Sequence, residues 1–264
     1  MSDSAAAPAI VVRGLRMAYG SKLIQEQVSF EVAKGSVFII MGGSGCGKST
    51  LLKHMIGLLA PTAGQVLYGE SDYWAAEGPA QEAIRRRFGV LFQGSALFST
   101  MTLAENVMLP MKLNGDRRQT AAEQRERAET LLDLVGLATA ADLLPNEISG
   151  GMKKRAGLAR ALALEPEYLF LDEPSAGLDP ISSRKLDELI LDLRARTGAA
   201  VVVVTHELPS LFAIGDDGIF LDAESKRPIA RGAPKQLLES CDHPFVHAFL
   251  RREVPPEAVD NGRE

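Results

Sequence analysis

Cysteine is nearly absent from this 264-residue chain, which has only Cys46 and Cys241, far apart in sequence. Two isolated thiols do not make a disulfide framework, so a reducing compartment is expected. Basic residues are the minority, 29 Lys and Arg against 34 Asp and Glu, for a formal net charge of -5. A nucleic-acid partner usually demands a basic face, and this balance argues against one. Long apolar runs are missing as well. The most apolar stretches, around Val37–Met41 and Ala199–Val204, fall far short of the roughly 20 residues that a membrane-crossing helix needs. Met1–Ala9 has no basic segment followed by an apolar one, so no secretory leader is read there. The expectation is a soluble chain whose membrane work, if any, passes through a partner.

What remains is ordinary in bulk, 46% hydrophobic and 24% charged, so function must come from motifs. The length fits one large α/β domain or a core with one insert. Ile10–Met17 and Gln27–Val32 read as short strands with partial alternation, and Ser36–Met41 as a buried strand. Ser49–Leu59 reads as a helix stopped by Pro61 and Gly64, followed by strands at Gln65–Tyr68 and Phe88–Phe92. Arg117–Val135 and Gly151–Leu164 are helical in composition and spacing. Strand-like runs return at Tyr168–Leu171, Val201–Val204 and Gly218–Leu221, with a helix at about Ile181–Thr197. Alternating strands and helices imply a mainly parallel sheet with helices on both faces. There is no internal repeat, and the polar tail Val254–Glu264 is expected to be mobile.

Gly42-Gly43-Ser44-Gly45-Cys46-Gly47-Lys48-Ser49 satisfies G-x-x-x-x-G-K-[ST] between an apolar strand and a helix, the context that motif requires. Glycines let backbone N–H groups turn inward around phosphate oxygens, and the helix N-terminus adds its own unpaired N–H groups. Lys48 would reach the β- and γ-phosphates, Ser49 would ligate Mg²⁺, and Thr50 completes the nucleotide-binding set. The local positive potential is expected to lower the pKa of Cys46, whose role is that of a small filler. Tyr168–Leu171 ends in Asp172 and Glu173. A buried strand beside the loop delivers such carboxylates to the ligand crevice, Asp172 toward Mg²⁺ through water and Glu173 as general base.

Ser149-Gly150-Gly151-Met152-Lys153, preceded by Ile148, resembles the L-S-G-G-Q signature of ABC (ATP-binding cassette) ATPases, departing from it at Ile148 and Met152. It lies some twenty residues before the acidic strand, as the family has it. Further residues match the pattern in order. Gln93 corresponds to the Q-loop glutamine, which contacts Mg²⁺ and couples to the membrane subunit. Ser175–Asp179 corresponds to the D-loop, His206 to the switch histidine and Tyr19 to the aromatic that stacks on adenine. Alone, Tyr19 would pass for an edge-strand aromatic and His206 for a capping residue. His54, His243 and His247 have no such support and read as structural or surface residues.

The resemblance implies a P-loop fold with an antiparallel β subdomain and an inserted helical subdomain. Residues 1–94 and 167–253 would form the catalytic core, 95–166 the signature subdomain and 254–264 a flexible tail. It implies ATP and Mg²⁺ as cofactors. It also implies a second ATPase chain, in a homodimer, because the signature of one subunit completes the loop site of the other. Integral-membrane permease subunits would hold the pair at the cytoplasmic face of a bacterial inner membrane. Leu91–Phe98, Met101–Val107, Ile148–Met152 and Ala156–Ala163 are similar to the ATPases of the bacterial phospholipid-trafficking systems that maintain outer-membrane lipid asymmetry. Those serve a permease with an MCE-domain periplasmic lipid-binding protein, and some carry a small STAS-domain partner. An importer for amino acids or another solute, and a non-transport ABC ATPase, are the alternatives.

Overall fold

The computed structural model of the chain describes residues 7–114 and 119–253. The tail 254–264 lies outside the described residues, as does part of the start of the helical stretch 117–135. β1 (Ile10–Tyr19) and β2 (Lys22–Val32) form an antiparallel ribbon, and β3 (Val37–Gly42) leads into α1 (Lys48–Met55). β4 (Ala63–Tyr68) and β5 (Ser71–Asp72) extend the ribbon into a four-stranded antiparallel sheet, in the order β2-β1-β4-β5. After α2 (Gly78–Arg85) and β6 (Phe88–Leu91) come α3 (Leu103–Asn114), α4 (Ala121–Leu134) and α5 (Gly150–Ala161). The chain then alternates through β7 (Tyr168–Asp172), α6 (Pro180–Thr197), β8 (Ala200–Val204), α7 (Leu208–Ile214) and β9 (Asp217–Leu221). β10 (Pro228–Arg231), α8 (Pro234–Ser240) and α9 (Pro244–Arg251) complete it.

The second sheet has six strands in the order β10-β9-β3-β8-β7-β6, parallel except for β10. Its central strands are apolar on both faces because both faces are covered. Val37, Ile39 and Met41 of β3 enter one core with the helices, while Phe38 and Ile40 enter a second core against the antiparallel sheet. Register places the site. Ile40 pairs with Val204, Asp172 with Val204, and Leu91 with Leu171. The C-terminal ends of β3, β8, β7 and β6 therefore open onto one edge, where parallel sheets bind their ligands.

Helix boundaries follow local chemistry. α4 starts on a capping box, with Glu123 N–H donating to Thr120 Oγ1 and Thr120 N–H to Glu123 Oε2. α6 starts on Asp179, which accepts from Ile181 and Ser182 N–H at 3.0 Å each, and stops at left-handed Gly198. β2 begins at Lys22, five residues before the expected start. α1 ends at Met55, four residues short of the expected Leu59. Two residues later Gly57 has φ 80, and a Cβ there would stand 2.0 Å from the Tyr73 hydroxyl oxygen, so the chain must turn. Trp74 Nε1 donates to the His54 carbonyl in the last turn of α1 at 3.1 Å, and its ring meets Tyr73 edge-on. α3 is a helix that the sequence did not suggest. It contains Pro110, and burial of Leu103, Ala104, Val107, Met108 and Met111 holds it together.

Candidate functional site

The loop between β3 and α1 turns on glycine. Gly42 has φ 142, and a Cβ there would lie 2.3 Å from Leu221 O and 2.6 Å from Cys46 Sγ. Gly45 (φ 75) and Gly47 (φ 103) are also left-handed, and Gly47 precedes the first turn of α1. The Lys48 ammonium bends back over the loop, donating to Gly42 O at 2.8 Å and Gly43 O at 2.9 Å. Buried Gln25 of β2 braces the loop from below, its Nε2 donating to Cys46 O at 2.8 Å and Asp222 O at 2.6 Å. Cys46 corrects an expectation. Its thiol is 1% exposed, and burial pushes its pKa up, outweighing the nearby Lys48 charge that lowers it. Loss of solvation of the thiolate exceeds the attraction of one partly screened ammonium.

At the end of β7 the two carboxylates separate. Ser49 Oγ donates to Asp172 Oδ1 at 3.3 Å. Burial raises the Asp172 pKa while that hydroxyl opposes the rise. Glu173 turns inward with φ 49, unusual for a residue with a Cβ. Its N–H donates to Val204 O at 2.8 Å, and Oε1 lies 2.8 Å from His206 Nδ1. Its second carboxylate oxygen is buried and has no partner among the described residues. A carboxylate with one free oxygen, oriented by an imidazole, can accept a proton from a water.

Gly42, Gly43, Ser44, Gly45, Gly47, Lys48, Ser49, Thr50, Gln93, Glu173 and His206 line one cavity of about 540 Å³. Asp172 reaches it through Ser49. Tyr19 stands at the end of β1, 48% exposed, and is not among the lining residues. Ser149 caps α5, accepting from Met152 N–H at 3.3 Å, and with Gly151 it lines a different cavity beside Arg155 and Leu178. Gly150 lies between them at the start of α5.

A family model described as the ABC transporter matches residues 25–176. The chain belongs to the ABC transporter family. It is an ABC-type ATPase, with the P-loop nucleotide-binding fold that the motifs implied. This ABC chain is similar to the probable ribonucleotide transport ATP-binding protein mkl of Mycobacterium leprae. The two are 38% identical over 257 residues, which cover 97% of this chain and 73% of mkl. It is also similar to MlaF of Escherichia coli (strain K12), the intermembrane phospholipid transport system ATP-binding protein. That identity is 36% over 249 residues, covering 94% of this chain and 90% of MlaF. A dimeric structure of the ATP-binding cassette MJ0796 in a post-hydrolysis state, bound to ADP and Pi, superimposes with a TM-score of 0.77. It is 30% identical and covers 84% of this chain and 97% of MJ0796.

Four further residues at the ABC site were not singled out from the sequence. Gln25 and Phe249 come from elements read only as generic strand or not read at all, yet one braces the loop and the other lines the cavity. Lys154 donates to the carbonyls of Gln93 and Glu173, and Arg160 to those of Ser95 and Ala96. Lys154 and Arg160 lie about one and three turns into α5 from Gly150, and a basic residue at buried helical spacing was the only available hint.

Proposed function

We propose that this chain works as one of two ATPase subunits that power a bacterial phospholipid transporter, bound to its permease at the cytoplasmic face of the inner membrane. The observation that carries the pairing is the separation of the two half-sites. The loop residues line one cavity and Ser149 and Gly151 another, so a signature that grips the γ-phosphate must come from a second chain. The dimeric structure of MJ0796 supports that reading. The hydroxyl of Ser149 and the N–H groups at the start of α5 then face the partner's triphosphate.

In each site Lys48 would bind the β- and γ-phosphates and Tyr19 would stack on adenine. Ser49 and Asp172 offer hard oxygen donors 3.3 Å apart, and with Gln93 they suit Mg²⁺, which keeps few protein ligands. When bound, Mg²⁺ neutralises charge on the phosphates. Glu173 accepts the proton of the attacking water, and His206 orients Glu173 through its 2.8 Å contact. Phe98 and Leu113 are 52% and 70% exposed, and they line an apolar groove of about 420 Å³ with Phe92, Leu109 and Leu164. Its lining brackets Gln93 in the chain, with Phe92 before it and Ala96 and Phe98 after it, and the groove suits a helix of the permease.

Phospholipid is favoured as cargo because the match spans 90% of MlaF but only 73% of mkl. An MCE-domain lipid-binding protein, and a STAS-domain protein in some systems, would complete such a complex. The likeness to the methionine import ATP-binding protein MetN of Geobacillus kaustophilus, 32% identical over 250 residues, supports a solute importer as the second reading. Purification of the assembled complex into lipid vesicles tests the choice. ATP-dependent movement of a labelled phospholipid is expected, whereas movement of a nucleoside or amino acid without lipid movement overturns it. Glu173→Gln is expected to keep ATP binding, trap the dimer and slow turnover by about 100-fold or more.

A further inference from the structure

One turn into α5, directly after the signature, a lysine points inward. Lys154 is 6% exposed. Its acceptors are two backbone carbonyls, those of Gln93 and, at 2.9 Å, Glu173. Burial lowers its pKa, and the charges of Asp172 and Glu173 oppose that fall. An ammonium taken out of water costs free energy unless its donors are used. A methionine would fill the same volume without that cost, so packing alone does not account for a lysine here.

What the lysine holds is the conformation that most needs holding. Glu173 is left-handed at φ 49, a state that persists in a residue with a Cβ only where the surroundings over-determine it. Its N–H is fixed by Val204 O and its carboxylate by His206. Lys154 supplies the third restraint, on the carbonyl. The loop after β6 is treated similarly. Ser95 (φ 62) and Ala96 (φ 49) are left-handed in succession. Arg160, also on α5, donates to their carbonyls at 2.7 and 2.6 Å, while Lys154 holds Gln93 just before them.

We propose that Lys154 is a positioning residue for ATP hydrolysis, fixing the backbones of Gln93 and Glu173 in register with the signature helix. The inference rests on Glu173 as the general base. One rigid helix then carries three things: the serine offered to the partner's nucleotide, the anchor of the chain's own base, and the anchor of the loop beside the permease groove. A shift of α5 on closure of the pair reaches Glu173 through a single side chain.

Steady-state ATP hydrolysis by Lys154→Met and Lys154→Gln tests this, with affinity for a fluorescent ATP analogue and thermal melts measured in parallel. Lys154→Met is expected to lower kcat about tenfold or more, because small misplacements of a catalytic group are costly. KM and analogue affinity should stay within about twofold, as for an interaction felt in the transition state. Lys154→Gln keeps donors without the charge and should return kcat to within about threefold of the parent. A folded Lys154→Met chain with the parent kcat overturns the proposal, as does a Lys154→Gln chain no faster than Lys154→Met. If Lys154→Met gives no cooperative melt, Lys154→Thr, too short to reach either carbonyl, takes its place with the same outcomes. Glu173→Gln run alongside separates the two assignments. Parent turnover in that variant sinks the base, whereas slow Glu173→Gln beside fast Lys154→Met sinks only the role of Lys154.

Discussion

Adding one methyl group at Gly42 should cost more than adding it anywhere else in the phosphate loop. Gly42 sits at φ 142, a region essentially closed to residues with a Cβ, and occupying it costs about 1–3 kcal/mol. The new Cβ would also lie 2.3 Å from the Leu221 carbonyl oxygen. Leu221 is the strand partner of Gly42 across β3 and β9, so relief requires separating two central strands. Overpacking of that kind adds about 1–3 kcal/mol. Together the two effects amount to about 4 kcal/mol, and melting temperature should fall by on the order of 10 °C. Gly45→Ala is the control. It shares the loop and a positive φ of 75, but a Cβ there meets nothing within 4 Å. Its cost is backbone strain alone, about 1–2 kcal/mol. Thermal melts by circular dichroism measure both. Melting temperatures for the two variants within about 2 °C of each other would refute the strand-contact argument. Gly42→Ala should also weaken ATP binding, because the Gly42 carbonyl is one of the two acceptors that place Lys48.

Three further outcomes are expected. Iodoacetamide should label Cys241 before Cys46, since Cys46 is buried and its thiol is pushed up; peptide mapping that finds Cys46 modified first would contradict this. Burial raises the Asp187 pKa, with the Ser210 hydroxyl opposing, so the folded chain holds that proton more tightly than the unfolded one. The carboxyl then favours folding below the ordinary carboxylate range and loses that contribution as pH rises through its folded value. Asp187→Asn should therefore raise the melting temperature at about pH 8 and have a smaller effect at about pH 4. An equal shift at both, or a loss at the higher pH, would count against it. Phe249→Ala should weaken binding of a fluorescent ATP analogue by about threefold to tenfold, because the ring lines the cavity while its neighbour Phe245 backs Gly43. Unchanged affinity would remove Phe249 from the site.

The places of the loop, the acidic strand and the signature in the fold were legible because each depends on contiguous residues. Gly42 to Thr50 needed only a strand before and a helix after, and Asp172–Glu173 only an apolar run before them. The long-range partners were not legible. Gln25 reaches Asp222 across 197 residues, and no local pattern encodes that meeting. α3 was missed because Pro110 masks a helix held by tertiary burial rather than by propensity. α9 is short, and its phenylalanines matter only because Phe220 of β9 stands 5.9 and 5.0 Å from Phe245 and Phe249. The direction of the Cys46 shift went wrong for a related reason. Proximity to Lys48 could be read from the sequence, but depth of burial could not.

Trp74 is the only tryptophan in the chain, and its indole N–H is tied to His54 at the far end of α1. The other end of that eight-residue helix carries Lys48 and Ser49, with Lys48 about 9 Å from His54 at the rise of an α-helix. Tryptophan emission from the unmodified protein, excited on the red side of tyrosine absorption, is therefore an optical gauge with one sensing point. Axial movement of the phosphate-binding helix would change the hydrogen bond and surroundings of that single indole. Nucleotide exchange could be timed in a stopped-flow cell without attaching a dye.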